Sequence, residues 1–247
     1  MDKLQIGIIR EGKTPPDSRV PLTPSQCKEI QEKFPVQITV QPSPKRCYTD
    51  DEYKKEGITL SEDLSHCSVM MGVKEVPIDL LVENKTYFFF SHTIKKQVYN
   101  RKLLQACVEK NIQLLDYEVL TDTNGKRLIA FGVFAGMVGA HNGVYTYGKR
   151  TGQFSLKRMK DHFDYKEAVE IYEKMKFPPF KVILTGSGRV GSGARKVLED
   201  MGIRKVSPQD FLNETFEEAV FAQLECGEYV ERKDRSTFLK SDFYQNP

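Results

Sequence analysis

The sequence predicts an α/β protein made of two Rossmann-like parallel-sheet domains, the second incomplete. Three observations carry that expectation. Short apolar runs alternate with longer amphipathic stretches, the rhythm of strand–helix–strand units. At 247 residues the chain exceeds the usual size of one domain. One apolar strand, Lys181–Thr185, runs straight into Gly186-Ser187-Gly188-Arg189-Val190-Gly191 and then into a helix, the setting in which a glycine-rich turn binds a dinucleotide.

The elements follow in order. Lys3–Ile9 is a short apolar strand. Thr23–Phe34 is a helix that Thr23 or Ser25 can cap. Val36–Gln41 is a second strand, closed by a turn through Pro42–Pro44. Asp50–Glu56 predicts a short helix, and Ser68–Val73 a strand that ends at Lys74. Thr86–Phe90 is strongly apolar and ends at Ser91-His92. A helix over Asn100–Lys110 and a strand over Ile112–Asp116 come next. Asp122–Gly125 is a turn, because Asp and Asn bond the local backbone and Gly supplies positive φ. Ala130–Gly143 is rich in small residues, which suits a helix packed closely on a neighbour. A basic stretch over Lys149–Lys160 precedes a helix over Asp164–Lys176, which Pro178-Pro179 stops. After the glycine turn, a helix runs from about Ser192 to Met201 and a short strand covers Arg204–Ser207. The domain boundary is expected between residues 135 and 136, leaving 1–135 as the substrate and catalytic domain and 136–247 as a partial dinucleotide-binding domain.

Composition narrows the function. Apolar residues make up 39% of the chain, enough to build cores, while the 29% that are charged sum to only +3. Opposite charges interleave along most of the chain, which argues against a nucleic-acid partner or an anionic membrane. The five cysteines are scattered and form no CxxC pair, so neither a disulfide framework nor a metal site is expected. Residues 1–20 lack the apolar segment of a signal peptide, and no apolar run reaches the length of a membrane span. A cytoplasmic location is the expectation.

Within the turn, Gly186 permits the tight bend, Gly188 lets the backbone approach a pyrophosphate, and Gly191 lets the helix pack on the strand. Ser187, Arg189 and Val190 complete the candidate cofactor site. The fingerprint normally extends to an acid after the next strand, and Asp210 follows Arg204–Ser207. Asp210 as ribose acid would favour NAD, whereas Arg189 or Arg204 facing a 2′-phosphate would favour NADP. Asp210 is equally suited to be a solvent-facing helix cap.

Ligands of open parallel sheets bind outside the carboxyl ends of the strands. Two consecutive strands of the first half end in protonatable residues, Lys74 and His92. If those strands are parallel neighbours, both side chains enter one crevice. Dehydrogenation at an amine needs such a pair, one group to move the amine proton and one to assist at the imine carbon. Glu75, beside Lys74, would hold that lysine charged. Taken singly, a strand-end lysine is usually solvated and a strand-end histidine is often a structural hydrogen-bonder.

Several longer motifs carry a family resemblance. Ile6-Gly7-Ile8-Ile9-Arg10-Glu11 and Arg19-Val20-Pro21-Leu22-Thr23-Pro24 resemble the opening of the alanine dehydrogenase and transhydrogenase superfamily. Gly72-Val73-Lys74-Glu75 and Phe89-Phe90-Ser91-His92-Thr93-Ile94-Lys95 tighten the likeness. Leu115-Asp116-Tyr117-Glu118, Gly125-Lys126-Arg127 and Ala130-Phe131-Gly132 through Ala135-Gly136 narrow it to the saccharopine dehydrogenase (lysine-forming), or lysine–2-oxoglutarate reductase, branch. Gln41-Pro42-Ser43 and Tyr229-Val230-Glu231-Arg232-Lys233 fit the same branch.

The resemblance implies an NAD- or NADP-dependent two-domain enzyme with cofactor and substrate meeting in the cleft between domains. It implies reversible hydride transfer that joins lysine and 2-oxoglutarate, through an imine, to give saccharopine. Lys74 and His92 become the acid/base pair, Arg19 and Arg127 the ligands of substrate carboxylates, and Glu75 and Glu118 the modulators of the pair's pKa values. Arginine suits its role because its planar fork meets a carboxylate with two hydrogen bonds. Members of that branch continue well past the position where this chain stops, at Asn246-Pro247, so a fragment of the enzyme is expected.

Two other functions compete. Alanine dehydrogenase, acting on pyruvate and ammonia, shares the Arg, Lys and His positions but fits Gly125–Gly136 less well. A non-catalytic dinucleotide-binding fragment or regulatory module belongs to a different class. The presence of Arg19, Lys74, His92 and Arg127 together argues against long-standing loss of catalysis.

Overall fold

A computed structural model describes residues 3–15 and 17–245; the expected stop at Asn246-Pro247 lies outside them. The chain forms two compact units, Met1–Ile129 and Ala130–Pro247. The sequence had suggested a division at 135/136, a position inside the long helix that opens the second unit.

The first unit is a six-stranded parallel sheet. Its elements are β1 (Leu4–Ile8), α1 (Pro24–Lys33), β2 (Val36–Val40), α2 (Asp50–Lys55), β3 (Thr59–Leu60), β4 (Val69–Met71), β5 (Thr86–Phe89), α3 (Arg101–Glu109) and β6 (Gln113–Asp116). The strand order is β3-β2-β1-β4-β5-β6, so the winding reverses between β1 and β4. At such a reversal the loops leaving the two strands diverge and open a crevice beyond their carboxyl ends. The predicted elements are present, each trimmed by a residue or two, and only β3 lacked a sequence signal.

Local chemistry explains the boundaries. Thr23 caps α1: its hydroxyl accepts from the Gln26 N–H at 3.3 Å, and the Gln26 side chain accepts from the Thr23 N–H at 2.9 Å. Thr49 and Glu52 repeat the device at α2. One core forms where α1 and α2 meet β1 and β2, around Ile8, Cys27, Ile38, Val40 and Tyr53. A second gathers Met70, Tyr87, Phe89, Leu103 and Cys107 from β4, β5 and α3.

The second unit contains α4 (Gly132–Thr151), α5 (Tyr165–Tyr172), β7 (Lys181–Thr185), α6 (Arg189–Asp200), β8 (Arg204–Lys205), α7 (Pro208–Asn213), β9 (Val220–Leu224) and α8 (Lys240–Gln245). Its small-residue helix does pack closely. A Cβ on Gly193 of α6 would lie 2.0 Å from the Val133 carbonyl oxygen of α4, and one on Gly136 of α4 would lie 1.9 Å from the Val190 oxygen. His141, fully buried in α4, ties this unit together by bonding the Tyr172 hydroxyl at 2.5 Å and the Lys157 carbonyl at 2.7 Å.

The second sheet corrects the sequence reading. Its order is β7-β9-β8, all parallel, so β9 and not β8 lies beside the glycine strand. The reason is burial. Val220, Phe221 and Ala222 are at most 1% exposed, whereas Arg204 and Lys205 are exposed. An apolar strand takes the central place, and a short charged one takes the edge.

Candidate functional site

The carboxyl ends of β1, β4, β5 and β6 bring the first unit's candidate residues together. β4 and β5 are parallel neighbours, with Met71 opposite Phe88. The loops after them therefore leave side by side, one carrying Lys74-Glu75 and the other Ser91-His92.

Glu75 is the hub of this edge. Its Oε1 lies 2.8 Å from His92 Nδ1, and its Oε2 pairs with Lys13 Nζ. Burial pushes the Glu75 carboxyl up, but the hydrogen bonds from His92 and Lys13 outweigh it and hold the group below its ordinary value. An ionised carboxylate only accepts, so His92 Nδ1 carries the proton that faces Glu75. That fixes the tautomer and leaves Nε2 to exchange a proton with a ligand. His92 adopts φ 56° and ψ 10°, a left-handed conformation unusual for a residue with a side chain, and its ring stacks on Phe90. Glu75 therefore acts on His92, one of the two residues whose pKa values the resemblance gives it to modulate.

Lys74 is held through its backbone. Glu11, at the end of β1, accepts from the Val73 N–H at 2.6 Å and from the Lys74 N–H at 2.9 Å. Burial raises the Glu11 carboxyl, and these two N–H groups offset only part of the rise. Asp17 grips one edge of the Arg19 guanidinium with both carboxylate oxygens, accepting from Nε at 2.8 Å and from Nη2 at 2.5 Å. The Asp17 carboxyl is lowered first by the Arg19 side chain, against burial, with a smaller contribution from the nearby charge of Lys74.

Glu118 faces another way. Its Oε1 lies 3.2 Å from Lys95 Nζ and 3.3 Å from Arg127 NH2, so it organises cations and does not bond Lys74 or His92 among the described residues. Asp116 is the buried brace beneath. One carboxylate oxygen accepts from the Ser91 N–H at 3.2 Å and from the Ser91 hydroxyl, and the other accepts from the Glu118 N–H at 2.8 Å. Asp122–Gly125 forms the expected turn, with Asp122 accepting from the Asn124 and Lys126 N–H groups, and it returns Arg127 to pair with Thr121.

Sequence reasoning named Lys74, His92, Arg19, Arg127, Glu75 and Glu118, and the first unit gathers all six at one sheet edge. It gave no role to Glu11, Lys13, Asp17 or Asp116. The available signal was position: Glu11 and Asp116 stand at or just past strand ends, as Lys74 and His92 do.

The second unit presents the glycine turn. Gly186 has φ +83°, open only to glycine without strain, and a Cβ on Gly191 would lie 2.2 Å from the Gly186 carbonyl oxygen. A Cβ on Gly188 would meet nothing within 4 Å, so the space at the turn is left clear for a ligand. Helix α6 starts at Arg189, earlier than expected, and its first N–H groups have no acceptor within the helix. These features fit a pyrophosphate. Asp210 does not join them. It sits in the first turn of α7 with its N–H on the Ser207 hydroxyl, after a strand that ends opposite Phe221, short of the end of β9. Glu225, immediately after β9, is the acid beside the turn.

No helix among the described residues is long and apolar enough to cross a membrane, and none of their His, Cys, Asp and Glu side chains cluster as a metal site.

Comparison with known proteins places these features in context. Residues 7–138, which span most of the first unit and the start of α4, match the family described as alanine dehydrogenase/PNT, N-terminal domain. The chain is 32% identical to the mitochondrial alpha-aminoadipic semialdehyde synthase of Mus musculus over 223 residues, 83% of this chain and 24% of that protein. It is 29% identical to the saccharopine dehydrogenase [NAD(+), L-lysine-forming] of Emericella nidulans over 212 residues, 79% of this chain and 56% of that one. The chain therefore spans about a quarter of the first relative's length and about half of the second's. A solved L-alanine dehydrogenase shares the fold at a TM-score of 0.57 and 16% identity, covering 91% of this chain and 62% of that one.

Proposed function

Because the chain belongs to the alanine dehydrogenase/PNT N-terminal domain family, we propose that it is part of a nicotinamide-dependent oxidoreductase of the saccharopine type. Its reaction would reversibly join the ε-amine of lysine to the keto carbon of 2-oxoglutarate. The observation that carries this reading is the Glu75–His92 contact of 2.8 Å at the mouth of adjacent strands, one residue from Lys74.

The chemistry follows from those groups. Condensing an amine with a ketone releases water and needs proton transfers at nitrogen and at the departing oxygen. His92, its Nδ1 held by Glu75, presents Nε2 for one transfer, and Lys74 supplies a second acid/base group from the neighbouring loop. Glu11 fixes the backbone that carries Lys74, so the amine reaches the crevice from a braced turn. Arg19 and Arg127 would receive the carboxylates of a dicarboxylic oxo acid, exchanging part of their pairing with Asp17 and Glu118 for substrate. Gly186, Gly188 and Gly191 would hold a nicotinamide dinucleotide, which would supply or accept the hydride. The mammalian and fungal relatives named above support the lysine-linked reading over one on pyruvate and ammonia.

Purified protein given lysine, 2-oxoglutarate and a reduced nicotinamide should oxidise the cofactor. Lys74→Met and His92→Gln should each lower kcat by about 100-fold or more. Turnover with pyruvate and ammonia alone would replace the saccharopine reading with an alanine dehydrogenase. Undiminished turnover in both variants would remove the proposed pair.

A further inference from the structure

The end of β9 meets the glycine turn directly. The Gly186 N–H donates to the Leu224 carbonyl at 2.8 Å, and the Gln223 side-chain amide donates to the Gly186 carbonyl at 2.9 Å. Both backbone polar groups of the first glycine are therefore held by the last two residues of β9, and the next residue is Glu225. In nucleotide-binding parallel sheets the group that meets the adenosine ribose stands at the end of the strand beside the glycine strand. The sheet order gives that place to β9 and its successor.

We propose that Glu225 makes this site select NAD(H) over NADP(H), by holding a carboxylate where the 2′-phosphate of NADP(H) would have to lie. The inference rests on reading the glycine turn as a dinucleotide site. A carboxylate accepts two hydrogen bonds from the vicinal hydroxyls of an unphosphorylated ribose. Against a phosphate it offers only like charge. Hydrogen bonds from Lys240 and, to a smaller degree, Ser187 hold the Glu225 carboxyl below its ordinary value, so it is ionised at neutral pH.

Lys240 and Arg204 do not reverse the argument. Lys240 Nζ lies 2.8 Å from Glu225 Oε2, so a 2′-phosphate could reach that ammonium only by displacing the carboxylate. Arg204 pairs with Glu218 at 2.6 Å and stands opposite Val220, at the far end of β9 from the turn. Asp210 is the other acid the sequence offers, and β8 leaves it away from the turn.

Titration calorimetry of NADH and NADPH on the 247-residue chain tests the inference without relying on turnover. NADH should bind more tightly than NADPH by about tenfold or more. Glu225→Gln keeps the size and removes the charge, and Glu225→Ser removes both. Each should narrow that ratio by weakening NADH and strengthening NADPH, while Asp210→Asn leaves it unchanged. Circular dichroism establishes that the variants are folded. NADPH binding as tight as NADH, or a ratio that neither folded Glu225 variant alters, overturns the inference and leaves the cofactor reading standing. Binding of neither nucleotide overturns both.

Discussion

At the residue scale, three carboxylates organise the charge in the loops that leave the first unit's strands. Glu75 joins Lys13 and His92, Asp17 joins Arg19, and Glu118 joins Lys95 and Arg127. Glu75 yields a signed pH prediction. Its native pKa lies below the ordinary 4.5, so its ion pairs contribute stability above that value. That contribution is lost as pH falls through the lowered native value. Wild-type protein should therefore exceed Glu75→Gln in urea stability by a steady margin near neutrality, and the margin should shrink in acid. A margin unchanged at about pH 3 would show that Glu75 acts by packing and not by charge. The same substitution should shift the pH profile of turnover, because His92 loses its ionised partner.

At the scale of elements, the contact between α4 and α6 turns on two glycines that no other residue can replace. Gly193→Ala places a methyl 2.0 Å from the Val133 oxygen, so the helices must part. A loss of about 2 kcal/mol is expected in urea unfolding. Gly139, on the same long helix, is the contrast. Its Cβ would meet nothing within 4 Å, so Gly139→Ala should stabilise by up to about 1 kcal/mol through helix propensity alone. At the other end of the chain, Thr23→Ala removes one side of the cap on α1 and should cost about 1 kcal/mol. The cap was legible in the sequence because Thr23 and Gln26 have the spacing that capping requires. The glycine contacts were not, since the small-residue run over 130–143 indicates close packing without naming the partner.

At the scale of the whole molecule, the cores of the two units have no residue in common. Ile38 is fully buried among α1, β1 and β2, and Phe221 is fully buried on β9. Ile38→Ala and Phe221→Ala should each cost about 3 kcal/mol. Their effects should add in the double variant within about 0.5 kcal/mol, because the two sites share no packing neighbours. A large deviation from additivity would show that the units stabilise one another. Doubly wound order in the first unit accounts for the convergence of Arg19, Lys74, His92 and Arg127, which are far apart in sequence. Each follows a strand whose carboxyl end faces the same edge.

The amino-acid sequence by itself determined the elements and the residue types at their ends. Alternating apolar runs specify strands and helices locally, and Gly186, Gly188 and Gly191 mark a turn whose backbone demands are local too. It also placed Lys74 and His92 at strand ends, because strand length is set by short-range patterning. The tertiary structure decided which ends are neighbours. Glu75 turns to His92, and Glu118 to Lys95 and Arg127, because the loops after parallel strands meet across the sheet and not along the chain. The glycine turn kept its position, but its acid changed from Asp210 to Glu225. Strand order depends on which segment buries more apolar surface, and Val220–Ala222 outcompetes Arg204–Lys205 for the centre of the sheet.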